Sequence, residues 1–132
     1  MSVLYEKWME KAEEDFAAAR YILNDDVPFH SLTAFLRQQF VEKFLKALLV
    51  HDQVPFPKTH DIESLLDIVE TSRRELADSL RPCAELSPYA VETRYPLDAP
   101  HVTEMDCKRA MELAERARQA IRKILPVHIN EI

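Results

Sequence analysis

The chain contains no glycine. Walker loops and dinucleotide fingerprints need glycine where the backbone closes on a phosphate, so neither can be present. A nucleotide, if held, would have to be held by side chains or helix ends. Asn-Gly hairpins are excluded too, which argues against a β architecture. Cysteine is scarce: Cys83 and Cys107 form no Cys-x-x-Cys and no ligand cluster. That pattern implies a reduced, cytoplasmic setting and thiols that pack between helices rather than react. No apolar run approaches the roughly 18 residues of a membrane span. The start, Met-Ser-Val-Leu-Tyr-Glu-Lys-Trp, lacks the apolar segment of a signal peptide. Basic residues are in deficit, with a net charge of -6 and a pI near 5.4. Duplex DNA needs a basic footprint, so it is not an expected partner.

What is present describes an ordinary globular chain. Its 132 residues, 47% hydrophobic and 30% charged, suit one domain with its own core. We place that domain at 1–126, followed by a short tail at 127–132. Pro28 to Gln53 reads as one long helix without internal proline. Ala34, Leu36, Phe40, Val41, Phe44, Leu45, Ala47 and Leu48 share one arc of it. Gln38, Gln39, Glu42, Lys43 and Lys46 share the other, with Phe35 and Leu49 between them. The polar arc reads first as a solvated face laced by i,i+4 pairs such as Glu42–Lys46. The competing reading is a surface that meets a polar ligand or a partner.

A first helix is expected over Val3 to Leu23, with Leu4, Trp8, Ala12, Phe16, Ala19 and Leu23 inward. Asn24-Asp25-Asp26 ends it, asparagine being the natural left-handed cap without glycine. Val54-Pro55-Phe56-Pro57 is extended. A third helix begins at Thr59 or His60, and a short one follows the break at Thr71-Ser72, running from Arg73 to Leu86 with a disturbance at Pro82. Ser87 to Pro100 is a proline-rich loop. Thr103 to Leu125 is the last long helix, with a capping-box pattern at Thr103-x-x-Asp106 and a stripe of Ala110, Leu113, Ala114, Ala117, Ile121 and Ile124. Pro126 stops it. Three long helices and one or two short ones give an all-α, antiparallel up-and-down bundle.

Bundles can hold paired metals with Glu-x-x-His motifs on facing helices. None of the five histidines has a glutamate three residues before it. No metal or other cofactor is therefore expected, and no serine or cysteine has a nucleophile's context. Two short motifs carry other chemistry. His60-Asp61 stands at a helix start, where free N–H groups favour anions. Arg94-Tyr95-Pro96 sets a bidentate cation beside an aromatic ring, a good phosphate or base contact. Both also have bland readings: a capped loop, a residue serving the helix dipole, or an Arg94 ion pair with a carboxylate such as Asp15.

The order of these motifs resembles the HEPN domain family (higher eukaryotes and prokaryotes nucleotide-binding). It runs Ala12-x-x-Asp15-Phe16-x-x-Ala19, then Phe35-x-x-Gln38-Gln39-x-x-Glu42-Lys43-x-x-Lys46-Ala47-x-Leu49. Thr59-His60-Asp61-Ile62-x-x-Leu65 and Thr93-Arg94-Tyr95-Pro96 follow, with an alanine-striped last helix. The resemblance covers nearly the whole chain and implies a helical bundle, often a homodimer. It implies three roles. One is partner, or fused second domain, of a minimal nucleotidyltransferase. Another is a metal-independent ribonuclease of toxin type, marked by Arg-x(4–6)-His on a helix. The third is nucleotide binding by the bundle itself. One match to the ribonuclease pattern is Arg94 with His101, and Pro96 and Pro100 interrupt it. Tyr95 also stands where nuclease members usually place a small polar residue. The expected role is therefore a partner or substrate-binding subunit of a nucleotidyltransferase, without catalysis of its own. Gln39, Glu42, Lys43, Lys46, His60, Asp61, Arg94 and Tyr95 are the candidate nucleotide- or partner-binding residues. The alternatives are the ribonuclease, acting on RNA through Arg94 and His101, and a plain homodimeric interaction module.

Overall fold

A computed structural model describes residues 3–24, 30–90 and 102–125, with side chains from 4 to 21 and from 30 in the first two stretches. Five α-helices follow one another: α1 Val3–Asn24, α2 His30–His51, α3 Ile62–Glu70, α4 Arg74–Leu80 and α5 Glu104–Arg122. A 3₁₀ segment, Arg81–Ala90, continues directly from α4. Among the described residues there is no strand, and the fold is all-α. No helix there is long and apolar enough to cross a membrane.

α1 and α2 pair antiparallel along their length. Tyr5 meets His51 edge-on at 5.1 Å, Lys46 lies over Trp8 at 5.6 Å, and Phe16 packs on Phe40 at 4.9 Å. Phe40 in turn stacks on Phe44 at 4.3 Å. These rings join Leu65, Leu66, Leu80, Leu86, Leu113 and Ile121 in one buried core. Such mutual burial of large side chains is the main stabilising term of a bundle this size.

The inward stripe of α1 differs from the expected one. Tyr5, Met9, Ala12, Phe16 and Ala19 are buried, whereas Leu4 is 54% exposed. The reason is geometric. Four-residue steps overshoot a turn by about 40° each, so Leu4 is about 120° around the helix from Phe16. Alternating steps of four and three keep the seam aligned. The Leu23 side chain, Asp25, Asp26 and Pro28 lie outside the described residues.

α2 is the central helix. α1, α3, α5 and the 3₁₀ segment all pack on it. Its buried residues include Phe40, Val41, Phe44 and Leu48, but also Arg37, Gln38, Glu42 and Lys46. The expected solvated polar face is thus a correction: most of that arc is inside. Leu49 is buried and Phe35 half-buried with it, and Leu36 of the apolar arc is half-buried too. A helix surrounded on all sides must satisfy its polar groups internally.

After α2 the chain turns at Gln53, whose φ of 59° is left-handed. Among the described residues it is the non-glycine residue with positive φ. Arg73 then clamps this turn, donating from Nε and Nη2 to the two Asp52 oxygens at 2.7 and 3.0 Å.

α3 starts at Ile62, later than the expected Thr59 or His60. Asp61 is the extended residue before it, and Thr59 Oγ1 accepts from the Asp61 N–H at 3.0 Å. The Ile62 N–H, free of helical partners, donates to Ser87 Oγ at 3.0 Å. The 3₁₀ segment therefore caps α3 from across the fold. The expected break at Thr71-Ser72 is present as a turn. The expected helix from Arg73 to Leu86 divides: α4 ends at Leu80, and the tighter coil carries Pro82 and Pro88. That segment also takes Ser87 to Ala90 out of the expected loop, whose remainder lies outside the described residues. α5 has the reciprocal capping box, with Asp106 N–H donating to Thr103 Oγ1 and Thr103 N–H donating to Asp106 Oδ2. Its alanine-rich stripe is buried through Ile121, while Ile124 is half-buried beyond the helix end. Pro126 and the tail 127–132 are not among the described residues.

Candidate functional site

The buried polar arc of α2 is a ladder with i,i+4 rungs. Gln38 Nε2 donates to Glu42 Oε1 at 3.1 Å, and Lys46 Nζ donates to Glu42 Oε2 at 2.9 Å. Gln38 Nε2 also reaches the His60 carbonyl at 3.0 Å, tying the ladder to the loop before α3. Gln39 joins from the side, donating from Nε2 to Gln38 Oε1 at 2.8 Å. Lys46 has the Trp8 ring beneath its ammonium group, a second favourable contact for a buried cation.

His60 completes the cluster. Its Nδ1 lies 3.1 Å from Glu42 Oε1 and 3.3 Å from Oε2. An ionised carboxylate only accepts, so this contact places the imidazole proton on Nδ1. The other nitrogen, Nε2, then has no partner among the described residues. The Glu42 side chain is 4% exposed and the Lys46 side chain 8%, whereas His60 is 64% exposed. A sealed carboxylate and cation thus hold an imidazole whose outer edge meets solvent. A ring held this way can accept or donate a hydrogen bond to an outside polar group, in a fixed orientation.

The other candidate residues are placed differently. Lys43 turns to α1, where its Nζ donates to Asp15 Oδ2 at 2.6 Å. Burial pushes the Asp15 carboxyl above its ordinary value, and the Lys43 hydrogen bond offsets part of that rise. Asp15 is thus paired with Lys43, and the expected pairing with Arg94 falls outside the described residues. Asp61 faces away from the ladder. It accepts from Ser64 Oγ at 2.7 Å and from Ser87 Oγ at 3.2 Å. The Ser64 bond is foremost in holding Asp61 below the usual carboxylate range. Arg94, Tyr95 and His101 lie outside the described residues. Glu42, Lys46 and His60 therefore share one cluster, Gln39 touches its margin, and Lys43 and Asp61 do not join it. Among the described residues no three His, Cys, Asp or Glu side chains group as a metal site would require.

With this geometry in view, the comparisons with known proteins are specific. The model of the HEPN domain matches residues 5–124. The chain belongs to the HEPN domain family. Among solved structures, an archaeal HEPN homologue is similar, with a TM-score of 0.68 at 24% identity. The match covers 91% of this chain and 96% of that one. At such identity the likeness speaks for the fold. No curated protein matches the chain in sequence.

Two members of the cluster in this HEPN domain escaped the list of candidate residues. Gln38 is one: its spacing of four from Glu42, itself four from Lys46, was the available signal. Trp8 is the other. A single helix pattern shows a tryptophan as core, and nothing in the sequence shows which cation will lie over it.

Proposed function

We propose that this HEPN domain is the partner subunit of a minimal nucleotidyltransferase, and that His60 backed by Glu42 is a contact for its nucleotide. The observation that supports this is the contrast within one cluster. His60 is 64% exposed while the carboxylate that orients it is 4% exposed. Burying a carboxylate and an ammonium group is costly, and a structural role alone is filled as well by apolar side chains. An oriented imidazole at the outer end gives that arrangement a use at the surface. Its Nε2 suits a phosphate when protonated, or a base or ribose donor when neutral. The role proposed for the cluster is binding.

Calorimetry tests this reading with ATP and GTP titrated into the chain, alone and with a minimal nucleotidyltransferase from the same cell. We expect binding that weakens at least tenfold in His60→Ala and in Glu42→Gln. Equal affinity of all three proteins for nucleotide and enzyme would remove the cluster from the proposal. Absence of any complex between wild type and the enzyme would remove the partner role.

A further inference from the structure

Trp8 has a second environment besides Lys46. With Leu4, Lys7 and Lys11 it lines an open groove of about 250 Å³ on α1. Leu4 and Trp8 stand four residues apart, as do Lys7 and Lys11, so two rows run side by side along the helix. The first row is apolar, with Leu4 exposed and Trp8 half-buried. The second is cationic and exposed. The lining is almost wholly apolar, so the lysines give the groove their methylene stems and hold their ammonium groups at its rim. Neither ammonium group has a hydrogen bond or an ion pair among the described residues. Asp15, four residues on from Lys11, is engaged by Lys43 at 2.6 Å.

The groove is continuous with the buried cluster. Lys46 Nζ lies 5.6 Å from the centre of the Trp8 ring and 2.9 Å from Glu42 Oε2. The other oxygen, Glu42 Oε1, holds His60 Nδ1 at 3.1 Å. Three contacts in series therefore join the groove to the exposed imidazole. The occupant that fits is set by three properties. An apolar floor beside an indole favours a planar ring, which can stack on it. Two unpaired cations at the rim favour a phosphate group. The volume holds one ring system, and a partner's helix, about 10 Å across, is too wide to enter.

We propose that this groove receives the base of a nucleoside phosphate, stacked on Trp8 beside Leu4, and that Lys7 and Lys11 take its phosphates. The inference rests on the reading of His60 as a nucleotide contact and divides the ligand between the two ends. The lysines lie at the α1 end, so the phosphates belong there. His60, across Lys46, then meets a donor on the base, which its Nε2 accepts as a neutral imidazole.

The test uses the full chain with ATP, adenosine and inorganic triphosphate as probes. Trp8 is the chain's single tryptophan, so its fluorescence reports the groove directly. We expect ATP to quench it saturably, and adenosine to do so with at least tenfold lower affinity. Triphosphate should displace ATP without quenching by itself. Lys7→Gln combined with Lys11→Gln, both surface changes, lowers ATP affinity at least tenfold and leaves adenosine unchanged. Leu4→Ser, also at an exposed position, weakens both several-fold, and His60→Ala weakens both by the same factor. No quenching by ATP overturns the proposal, and quenching only by an added nucleotidyltransferase overturns it in favour of a protein contact. Equal ATP affinity in the double lysine variant overturns it as well. ATP binding that calorimetry finds dependent on His60, with Trp8 fluorescence unchanged, overturns the groove and spares the His60 contact. Lysine-dependent quenching that ignores His60→Ala supports the groove and removes that contact.

Discussion

His60 Nδ1 and Glu42 Oε1 stand 3.1 Å apart across the boundary between solvent and core, the imidazole outside it and the carboxylate inside. Among the described residues, the side chains that hydrogen-bond Glu42 on the inner side, Gln38 and Lys46, belong to its own helix.

That asymmetry predicts an unequal response to truncation. Glu42→Ala leaves the Lys46 ammonium buried without its carboxylate, a loss of about 3–5 kcal/mol. Lys46→Ala should cost a similar amount for the mirror-image reason. His60→Ala removes the solvent-facing member and should cost at most about 1 kcal/mol. Urea midpoints of the three variants decide this. If Glu42→Ala costs as little as His60→Ala, water reaches the pair and the cluster is not a sealed one.

Acid stability should depend visibly on Asp52. Hydrogen bonds from Arg73, foremost, hold its carboxyl below the usual range. A depressed folded-state pKa stabilises fully above the unfolded value and is lost as pH falls through the folded one. The loss therefore begins below about pH 4, where a free aspartate protonates. Asp15 works in the opposite sense, since burial raises its pKa and protonation relieves that cost. Asp52→Asn and Arg73→Gln should each flatten the acid limb of a stability–pH curve. An unchanged limb in both would mean the clamp is open in solution.

The thiols should be inert in the folded chain. Burial pushes Cys83 up to about 11, and its Sγ points at the Leu113 carbonyl, 3.5 Å away. Burial raises Cys107 as well, and its Sγ lies 3.2 Å from Thr33 Oγ1. Since the thiolate is the reactive species, iodoacetamide at pH 8 should label neither quickly without denaturant, and both with it. Mass spectrometry reads the outcome. A fast native adduct at Cys83 would show that the 3₁₀ segment separates readily from α5.

The sequence carried the helices whose signal is local. The Thr103–Asp106 box and the alanine-rich stripe of α5 are written within one helix, and both are where the pattern placed them. The inside of α2 was not legible, because periodicity describes one helix and cannot count its neighbours. Gln38, Glu42 and Lys46 form a polar arc whether three or four elements cover it. The start of α3 failed for a related reason: its cap, Ser87, lies 25 residues downstream. Leu4 stands in the expected stripe and Tyr5 in the observed one, because both are apolar and adjacent and only the seam with α2 separates them. Of the site, Glu42, Lys46 and His60 could be listed from their chemistry, but their convergence could not.

The left-handed turn at Gln53 bears on the unfolded chain as well as the folded one. Glycine is the residue that normally supplies positive φ, and it brings a wide range of backbone conformations to the denatured ensemble. Here that turn is made by a residue with a side chain, in a sequence with no glycine and eight prolines. Holding one such residue at positive φ costs on the order of 1 kcal/mol. Against that, the disordered state of this chain explores fewer backbone conformations per residue than one with ordinary glycine content, so each residue surrenders less entropy on ordering. Stiffness of the unstructured polymer, and not contacts alone, then contributes to the stability of the bundle.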